Sequence, residues 1–309
     1  MNWDDLRFFL AAYRTGTFRA SGTQLRVDGT TVSRRIDRLE AALNSTLFQR
    51  TPGGLIPTDS GQHVYDRAVE IEGAVKRLTK HSAGNDADYR GQVTLSTVVT
   101  YTSHFLMHHL ARFRENYPQI DVVITNSDAM VDLTRGEADL AVRFRSPGTG
   151  PGVPPTTSEI IARQLGNAGI SVFASRDYLD RRGRPKDAYD VVGHDVIFPS
   201  LDIVANLPGR QWFDTVENSA QATVRVEDLD SMLAAAIAGF GLACSPTFIA
   251  AQHPELVQIT PPDAVDLREA WILMPTYLRG VARVRALRDF LIDLHTSHSD
   301  LLLAGAEST

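Results

Sequence analysis

The first part of the chain places its apolar residues at helical spacing, and the clearest example is the stretch 28–40. There Val32, Ile36, Leu39 and Leu43 follow one another at intervals of four, three and four residues. On a helix this spacing aligns all of them in one stripe. The pattern predicts an amphipathic helix that buries this stripe and exposes the side opposite to it.

Two shorter helices are predicted before this one. Asn2 can cap the first helix and Gly16 can end it. Thr17 can cap the second, which reaches about Leu25. A tight turn then leads to the amphipathic helix, which Asp28 can cap. Short helices joined in this way form a helix-turn-helix.

The exposed side of the third helix carries hydroxyl and guanidinium groups. The residues opposite the apolar stripe and on its flanks are Thr30, Thr31, Ser33, Arg34, Arg35 and Arg38. Guanidinium groups can contact guanine O6 and N7 or phosphate, and hydroxyl groups can contact phosphate or base edges. The pattern predicts a DNA recognition helix, and the alternative is a solvated basic surface.

A hairpin is predicted after the third helix. The segment LFQRTPGGLIPT consists of two short apolar runs around a Pro-Gly-Gly turn, which is typical of two strands joined by a tight loop. Arg50 lies at the base of this predicted wing and Thr58 follows it. Both residues are expected to reach the DNA backbone.

A long helix is predicted from Thr58 or Ser60 to about Ser82, followed by a polar hinge at 83–91. Its apolar positions are spaced by four, three, four and three residues and comprise Val64, Ala68, Ile71, Val75 and Leu78. A heptad seam of this kind favours packing against a second copy of the same helix. The alternative is a single amphipathic helix that lies on its own domain.

Beyond the hinge, predicted strands and helices alternate, which indicates an α/β fold with a parallel sheet. The first strand is predicted at 92–100, a helix that Ser103 caps follows, and a short helix is expected at 128–135. Another strand is expected to begin at 170, after a Pro/Gly-rich loop at 146–155. Two α/β lobes would enclose a cleft, and open α/β sheets bind ligands at the carboxyl ends of strands.

Charge separates the head of the chain from its body. The net charge is −6, yet residues 1–60 carry eight arginines against six acids, whereas the remainder from 91 onward carries eighteen basic and twenty-six acidic residues. A mildly basic head on an acidic body is expected when one domain alone contacts phosphate. The sequence shows neither a secretory signal nor an apolar run long enough for a transmembrane helix. We therefore expect a cytoplasmic location and no membrane partner.

The sequence gives little support for a metal site, an enzyme active site or a cofactor site. His104 and His108 have a metal-ligand spacing, but neither an HExxH motif nor a cysteine cluster accompanies them, so no metal site is expected. No GxSxG elbow and no dinucleotide fingerprint is present, so neither an enzyme nor a cofactor is predicted. Cys244 lies in a small apolar setting that is typical of a buried thiol.

The segment 15–61, from TGTFRASG to IPTDSG, resembles the winged helix-turn-helix of the LysR-type transcriptional regulators without gaps. Later segments resemble the regulatory domain of that family in order and spacing, among them FRENYPQIDVVI, GEADLAVRF and AAAIAGFGLACSPTFIA. The resemblance implies a DNA-binding head at 1–60, a dimerising linker helix and hinge at 61–90, and an effector domain at 91–300. Lobe I of that domain is expected at about 91–164 and 267–300, and lobe II at about 165–266. Such two-lobed domains resemble periplasmic binding proteins.

The resemblance also assigns roles to individual residues. On the recognition helix, the positions that commonly meet DNA match Thr31, Ser33, Arg34 and Arg35. The positions that usually line the effector cleft match Thr100, Tyr101, Thr102, Ser103, Phe198, Ser200 and the turn at Glu227 and Asp228. Where many members have Ser-Gln-Pro before the recognition helix, this chain has Asp28, Gly29 and Thr30, so a glutamine base contact is absent.

The function expected from the sequence is a sequence-specific transcriptional regulator whose promoter binding responds to a small polar or anionic effector. Its expected partners are double-stranded promoter DNA, the effector and further copies of the chain in a homodimer or homotetramer, and RNA polymerase is a further candidate. The alternative is a solute-binding protein of the same two-lobed type without a regulatory role.

Overall fold

The computed structural model describes residues 2–82, 88–126, 131–153, 158–200, 208–261 and 265–305. The chain divides into two compact units, one formed by 1–83 with 134–137 and one formed by the rest. The elements of the first unit are α1 (Trp3–Thr15), α2 (Phe18–Leu25), α3 (Gly29–Leu43), β1 (Phe48–Thr51), β2 (Gly54–Pro57) and α4 (Asp59–Ser82).

Side-chain caps begin the first three helices where the sequence predicts them. Asn2, Thr17 and Asp28 each accept a hydrogen bond from a backbone N–H in the first turn of the helix that follows. Gly16 ends α1 with φ +70°, a left-handed conformation that glycine adopts without a steric penalty. Gly22 allows α2 to approach the turn, because an added Cβ would lie 2.6 Å from the carbonyl oxygen of Val27.

The core of the head forms around the predicted apolar stripe. Val32, Ile36 and Leu39 are fully buried, and they belong to one cluster with Phe9 and Leu10 of α1. β1 and β2 pair antiparallel as the predicted wing, with Phe48 opposite Pro57. Burying a large aliphatic side chain contributes roughly 1.5–3 kcal/mol, so this stripe fixes which side of α3 faces outward.

The first turns of α4 pack on the head itself. Ala68 is buried in the head core, and Val64 packs against the same cluster. Ile71, three residues farther along, is 39% exposed. Part of the predicted seam is therefore used within the chain, because the helix must bury its first apolar positions against α1. The side chain of Leu78 lies outside the described residues.

The second unit is the α/β domain, and in the described ranges no helix is both long and apolar enough to cross a membrane. Its strands are β3 (Gly91–Thr97), β4 (Ile120–Asn126), β5 (Leu140–Arg145), β6 (Ile160–Ser175), β7 (Asp195–Pro199), β8 (Gln221–Val226), β9 (Ala243–Pro246), β10 (Leu256–Gln258) and β11 (Asp266–Pro275). Its helices are α5 (Val99–Tyr101), α6 (Met107–Asn116), α7 (Arg176–Arg182), α8 (Arg210–Val216), α9 (Leu229–Ile237), α10 (Thr247–Ala250), α11 (Ala282–Ser297) and α12 (Ser299–Ala304).

Two long strands join the two lobes. β3 pairs parallel with β4 and β5, as the alternating pattern predicts. β6 runs for 16 residues along the antiparallel β11, and its carboxyl half also pairs with β9 and β10. The strand predicted to begin at 170 therefore begins at Ile160, and the expected lobe boundary at 164 falls inside β6. The pairing of β11 with β6 shifts its register between Ala270 and Trp271.

The helix after β3 differs from its prediction. The strand ends at Thr97, and the helix begins at Val99 with no side-chain cap, so Ser103 lies inside the helix instead of capping it. Residues 102–106 form a π-helical turn between α5 and α6. Of the helix predicted at 128–135, the described part forms a single 3-10 turn at Leu133–Arg135, and 128–130 lie outside the described residues.

Candidate DNA-binding face and effector cleft

The outer side of α3 presents two arginines to solvent. Arg34 and Arg38 are exposed, and within the described ranges their side chains form no ion pair or hydrogen bond. Free guanidinium groups on the outer side of a helix-turn-helix are available for phosphate or base contacts. Arg34 and Arg38 thus occupy the positions expected of a recognition helix.

The amino-terminal turn of α3 is ordered by Asp28. Its carboxylate accepts hydrogen bonds from the backbone N–H groups of Thr30 and Thr31, at 2.9 Å and 3.0 Å, and from the hydroxyl of Thr30. The hydroxyl of Thr30 and the N–H of Thr31 stabilise the carboxylate and lower the pKa of Asp28. The backbone N–H groups of both threonines and the Thr30 hydroxyl are therefore engaged by Asp28.

Arg35 points to the interior of the head, which differs from its prediction as a DNA contact. Its guanidinium donates to the buried carboxylate of Asp5 at 2.9 Å and approaches Asp4 at 3.3 Å. The same group lies 5.2 Å from the ring centre of Phe8. The hydrogen bond to Asp5 raises the pKa of Arg35. This arginine attaches α3 to α1, because leaving the buried carboxylate of Asp5 unpaired would be unfavourable.

The wing is attached to α3 by two polar contacts. Glu40 accepts hydrogen bonds from the backbone N–H groups of Leu47 and Phe48, at 2.6 Å and 3.2 Å. Arg50 forms an ion pair with Asp37 and donates to the hydroxyl of Ser33 at 3.3 Å. The predicted DNA contacts Ser33 and Arg50 are thus neighbours on one surface.

Thr58 caps α4. Its hydroxyl donates to the carbonyl of Thr46 at 2.7 Å and accepts from the N–H of Gly61 at 3.0 Å. These two contacts fix the junction between wing and linker helix, as the sequence predicts for the helix start. A phosphate contact by the Thr58 hydroxyl would have to share this oxygen.

The linker helix is also attached to α1 by polar and aromatic contacts. Arg14 forms a bidentate ion pair with Glu72, at 3.1 Å and 2.9 Å, and this bond raises the pKa of Arg14. The rings of Tyr13 and Tyr65 stack with their centres 3.9 Å apart. The helix is therefore held on the head up to Glu72, and the half-buried Val75 lies beyond that point.

On the lobe I side of the cleft, the four predicted residues separate into two groups. Ser103 is exposed and Thr100 is half-buried, whereas Thr102 is buried and donates to the amide oxygen of Asn126 at 2.8 Å. Tyr101 is fully buried, which differs from its prediction as a cleft residue. Its side chain lies in the core of lobe I because the helix begins earlier than expected.

Tyr101 and His295 form a buried polar pair. The hydroxyl of Tyr101 lies 2.9 Å from Nε2 of His295, and Nδ1 of His295 has no hydrogen-bond partner among the described residues. Burial raises the pKa of Tyr101, and burial together with nearby His298 lowers the pKa of His295 to about 3. Both groups are therefore neutral at physiological pH.

The lobe II side contains one core residue and two more accessible ones. Phe198 is buried against Phe213, with ring centres 5.9 Å apart, so it supports the cleft wall from behind. Ser200 is half-buried and its N–H donates to Val226 at 2.7 Å. Asp228 is exposed and caps α9, and the hydroxyl and N–H of Ser231 lower its pKa.

A contact between the lobes was not predicted from the sequence. Nε2 of His104, in the π-helical turn, lies 2.7 Å from the carboxylate of Asp230 on α9. The side-chain amide of Gln252 donates to the carbonyl of His104 at 2.6 Å. These contacts lie next to the cleft residues Ser103 and Asp228. Their partners are too far apart in sequence for any local pattern to indicate them.

The metal-ligand spacing of His104 and His108 does not correspond to a cluster. Among the described residues, no group of three or more His, Cys, Asp or Glu side chains is arranged to hold a metal ion. Cys244 is buried as expected, and this burial raises the pKa of its thiol.

A winged helix-turn-helix joined to a two-lobed α/β domain defines a class of ligand-responsive DNA-binding proteins. Residues 3–62 match the model of the bacterial regulatory helix-turn-helix protein, lysR family, and residues 86–295 match that of the LysR substrate binding domain. The chain belongs to the LysR family and is a transcriptional regulator, not an enzyme.

Transcriptional regulators of known sequence are similar to this chain over part or nearly all of its length. The Mau operon transcriptional activator of Paracoccus denitrificans is 27% identical over 296 residues, which cover 95% of this chain and 96% of that protein. The AmpR activator of Rhodobacter capsulatus is 36% identical over 145 residues, 47% of this chain and 48% of that protein.

Two solved structures share the fold. The full-length Vibrio cholerae virulence activator AphB has a TM-score of 0.60 and 22% identity, covering 96% of this chain and 100% of that one. Full-length CbnR in complex with its target DNA has a TM-score of 0.60 and 17% identity, covering 94% of this chain and 100% of that one.

Proposed function

We propose that this regulator binds promoter DNA in the cytoplasm through the outer side of α3 and the wing. The observation that carries the proposal is the exposure of the Arg34 and Arg38 guanidinium groups, which have no polar partner in the part of the chain that the structure describes. The contacting residues are Thr30, Thr31, Ser33, Arg34 and Arg38 on the helix and Arg50 and Thr58 at the wing. Arg35 positions the helix from behind. Full-length CbnR, which shares this fold, has been solved in complex with its target DNA.

The proposed effector site lies between the lobes and takes a small polar or anionic compound. Thr100 and Ser103 supply hydroxyl groups from lobe I, and Ser200 and Asp228 contribute polar groups from lobe II. The first turn after Val98 has no side-chain cap, so its N–H groups are available to an anion. Calorimetry with the inducer should show weaker binding to Ser103→Ala, and equal affinity would contradict the assignment.

The proposed assembly is a homodimer or homotetramer that forms through the exposed part of α4. Ile71 and Val75 contribute the seam, whereas Ala68 belongs to the head core. A dimer would place two recognition helices about one turn of DNA apart, as two half-sites require. RNA polymerase is the partner through which a bound regulator would act on transcription.

The decisive experiment replaces Arg34 by alanine. Loss of a bidentate base contact costs about 1–3 kcal/mol, so operator affinity should fall roughly tenfold to hundredfold in a gel-shift titration at fixed salt. Arg67→Ala is the matched control, because this arginine is exposed on α4 and pairs with Glu70 three residues away. Unchanged affinity and footprint in the Arg34 variant would show that α3 is not the recognition helix.

A further inference from the structure

An acidic residue lies on the face that is proposed to contact DNA. Asp37 is exposed on the outer side of α3, three residues after Arg34 and one residue before Arg38. Positions three apart on a helix are neighbours, so Asp37 and Arg34 share this face, although no ion pair joins them among the described residues. An anion at this place repels phosphate, and therefore its presence on this face needs a physical reason.

The carboxylate of Asp37 holds the arginine of the wing. Arg50 forms an ion pair with Asp37, donates to the hydroxyl of Ser33 at 3.3 Å and lies 5.2 Å from the ring centre of Phe18. The guanidinium on the wing therefore contacts both α2 and α3. This arrangement leaves Arg50 with one orientation at the base of the wing.

The ion pair contributes little to folding. Asp37 and Arg50 have side chains that are 56% and 49% exposed, and an exposed ion pair contributes at most about 1 kcal/mol. The wing is already attached by the backbone hydrogen bonds that Glu40 accepts. The pair therefore mainly affects two properties: it reduces the positive charge of the DNA-binding face, and it orients the Arg50 side chain.

We infer that Asp37 is a specificity-determining residue: it orients Arg50 and lowers the affinity of this face for DNA of arbitrary sequence. The inference rests on the proposed DNA-binding face. Binding to arbitrary DNA depends on neutralisation of phosphates by basic side chains. The Asp37 carboxylate weakens this binding because it offsets the charge of Arg50 and repels phosphate. Binding to an operator has base contacts as well, and it depends less on net charge and more on a fixed position of the wing.

The test compares Asp37→Asn with the wild-type protein on two DNA duplexes. One has mixed sequence, and the other is an operator selected from a random library with the wild-type protein. Asp37→Asn should bind the mixed duplex about two- to fivefold more tightly, as loss of one exposed pair allows. Over about 50 to 200 mM salt, its slope of log affinity against log salt should steepen by about 0.9 on that duplex. The ratio of operator to mixed-sequence affinity should fall.

Two further variants separate a local effect from overall charge. Asp66 is exposed on α4 and accepts a hydrogen bond from Gln62. Asp66→Asn removes one negative charge there and should leave the affinities for the operator and for the mixed duplex unchanged. Combining Asp37→Asn with Arg50→Gln should give a smaller gain than in the wild-type background, because the arginine that Asp37 holds is then absent. Thermal unfolding of each variant checks that the head is folded.

Three results would overturn the inference and leave the proposed function standing. Equal effects of Asp37→Asn and Asp66→Asn would mean that overall charge alone is responsible. An unchanged salt slope would place Asp37 outside the DNA contact. A loss of operator affinity with unchanged mixed-sequence affinity would make the carboxylate a base contact. Failure of the wild-type protein to bind any duplex would overturn the proposed function as well, so the two failures are distinguishable.

Discussion

α3 and the lobe I helix at 99–116 can be compared directly, because the sequence predicts polar, ligand-facing residues on both. In α3 the outer side is regular, and the predicted Arg34 and Arg38 are exposed. In the lobe I helix, Tyr101 is fully buried and Ser103 is exposed. The difference arises at the start of the lobe I helix, which begins at Val99 instead of at Ser103 and thereby directs Tyr101 into the core.

The two helices also differ in how they neutralise polar groups. The head uses charged pairs at its surface, such as Arg50 with Asp37, whereas the lobe I core uses the neutral pair of Tyr101 and His295. A charged pair in that core would require a large desolvation free energy. The head thus keeps charged groups where water can solvate them, whereas the lobe I core pairs neutral groups.

The largest effect is expected for Tyr101→Ala. Removing this buried ring leaves a cavity and an unpaired Nε2 on His295, and such aromatic truncations cost roughly 3–5 kcal/mol. Chemical denaturation monitored on the regulatory domain would measure the loss. Tyr101→Phe is the matched control and should retain most of the stability. If Tyr101→Ala is as stable as the wild-type protein, the ring faces the cleft as the sequence suggested.

The next effect concerns pH. The folded pKa of His295, about 3, lies below the usual value near 6.5, so between these values the unfolded chain binds a proton that the folded chain does not. Stability should therefore decrease as pH falls from about 6.5 towards 3, by about 1.4 kcal/mol per pH unit from this one group. Denaturation curves at several pH values would measure the slope, and His295→Gln should reduce it. An identical slope in that variant would assign the effect to other groups.

A smaller effect is expected for Ile71→Glu. This variant tests whether the exposed part of α4, unlike the part packed in the head core, forms the interface with a second copy of the chain. Burial of an isoleucine at an interface contributes roughly 1.5–3 kcal/mol, so the variant should dissociate at concentrations where the wild-type protein remains associated. Light scattering would measure the molar mass. Glu70→Gln, at an exposed neighbouring position, should leave the assembly intact. An intact oligomer in the Ile71 variant would place the interface elsewhere.

The smallest expected effect is that of Arg35→Ala. The Arg35 side chain is 26% exposed, so water already screens part of its bond to Asp5, although the Asp5 carboxylate itself is buried. The variant should lower the Tm of the head, whereas Arg34→Ala should leave the Tm unchanged. Calorimetry on both variants would compare the neighbouring arginines directly. An unchanged Tm in the Arg35 variant, with weakened DNA binding, would return Arg35 to the DNA-contacting set.

Much of the local structure followed from the sequence because short-range physics determines it. The caps at Asn2, Thr17 and Asp28 depend on one side chain and the next turn, and the stripe of Val32 and Ile36 depends on helical period alone. The parallel pairing of β3 with β4 follows in the same way from alternating strands and helices. These features would be recognised in any chain with the same pattern.

The tertiary structure alone decided which polar residues face inward. Arg35 differs from Arg34 in its bond to Asp5, 30 residues away, and Tyr101 is directed inward towards His295, 194 residues away. His104 meets Asp230 across the lobes, 126 residues apart. A local sequence pattern shows only the spacing of residues along one helix or strand. These pairings depend on which distant polar group is close enough to form a hydrogen bond when the two side chains are removed from water. That choice is made when the elements pack together.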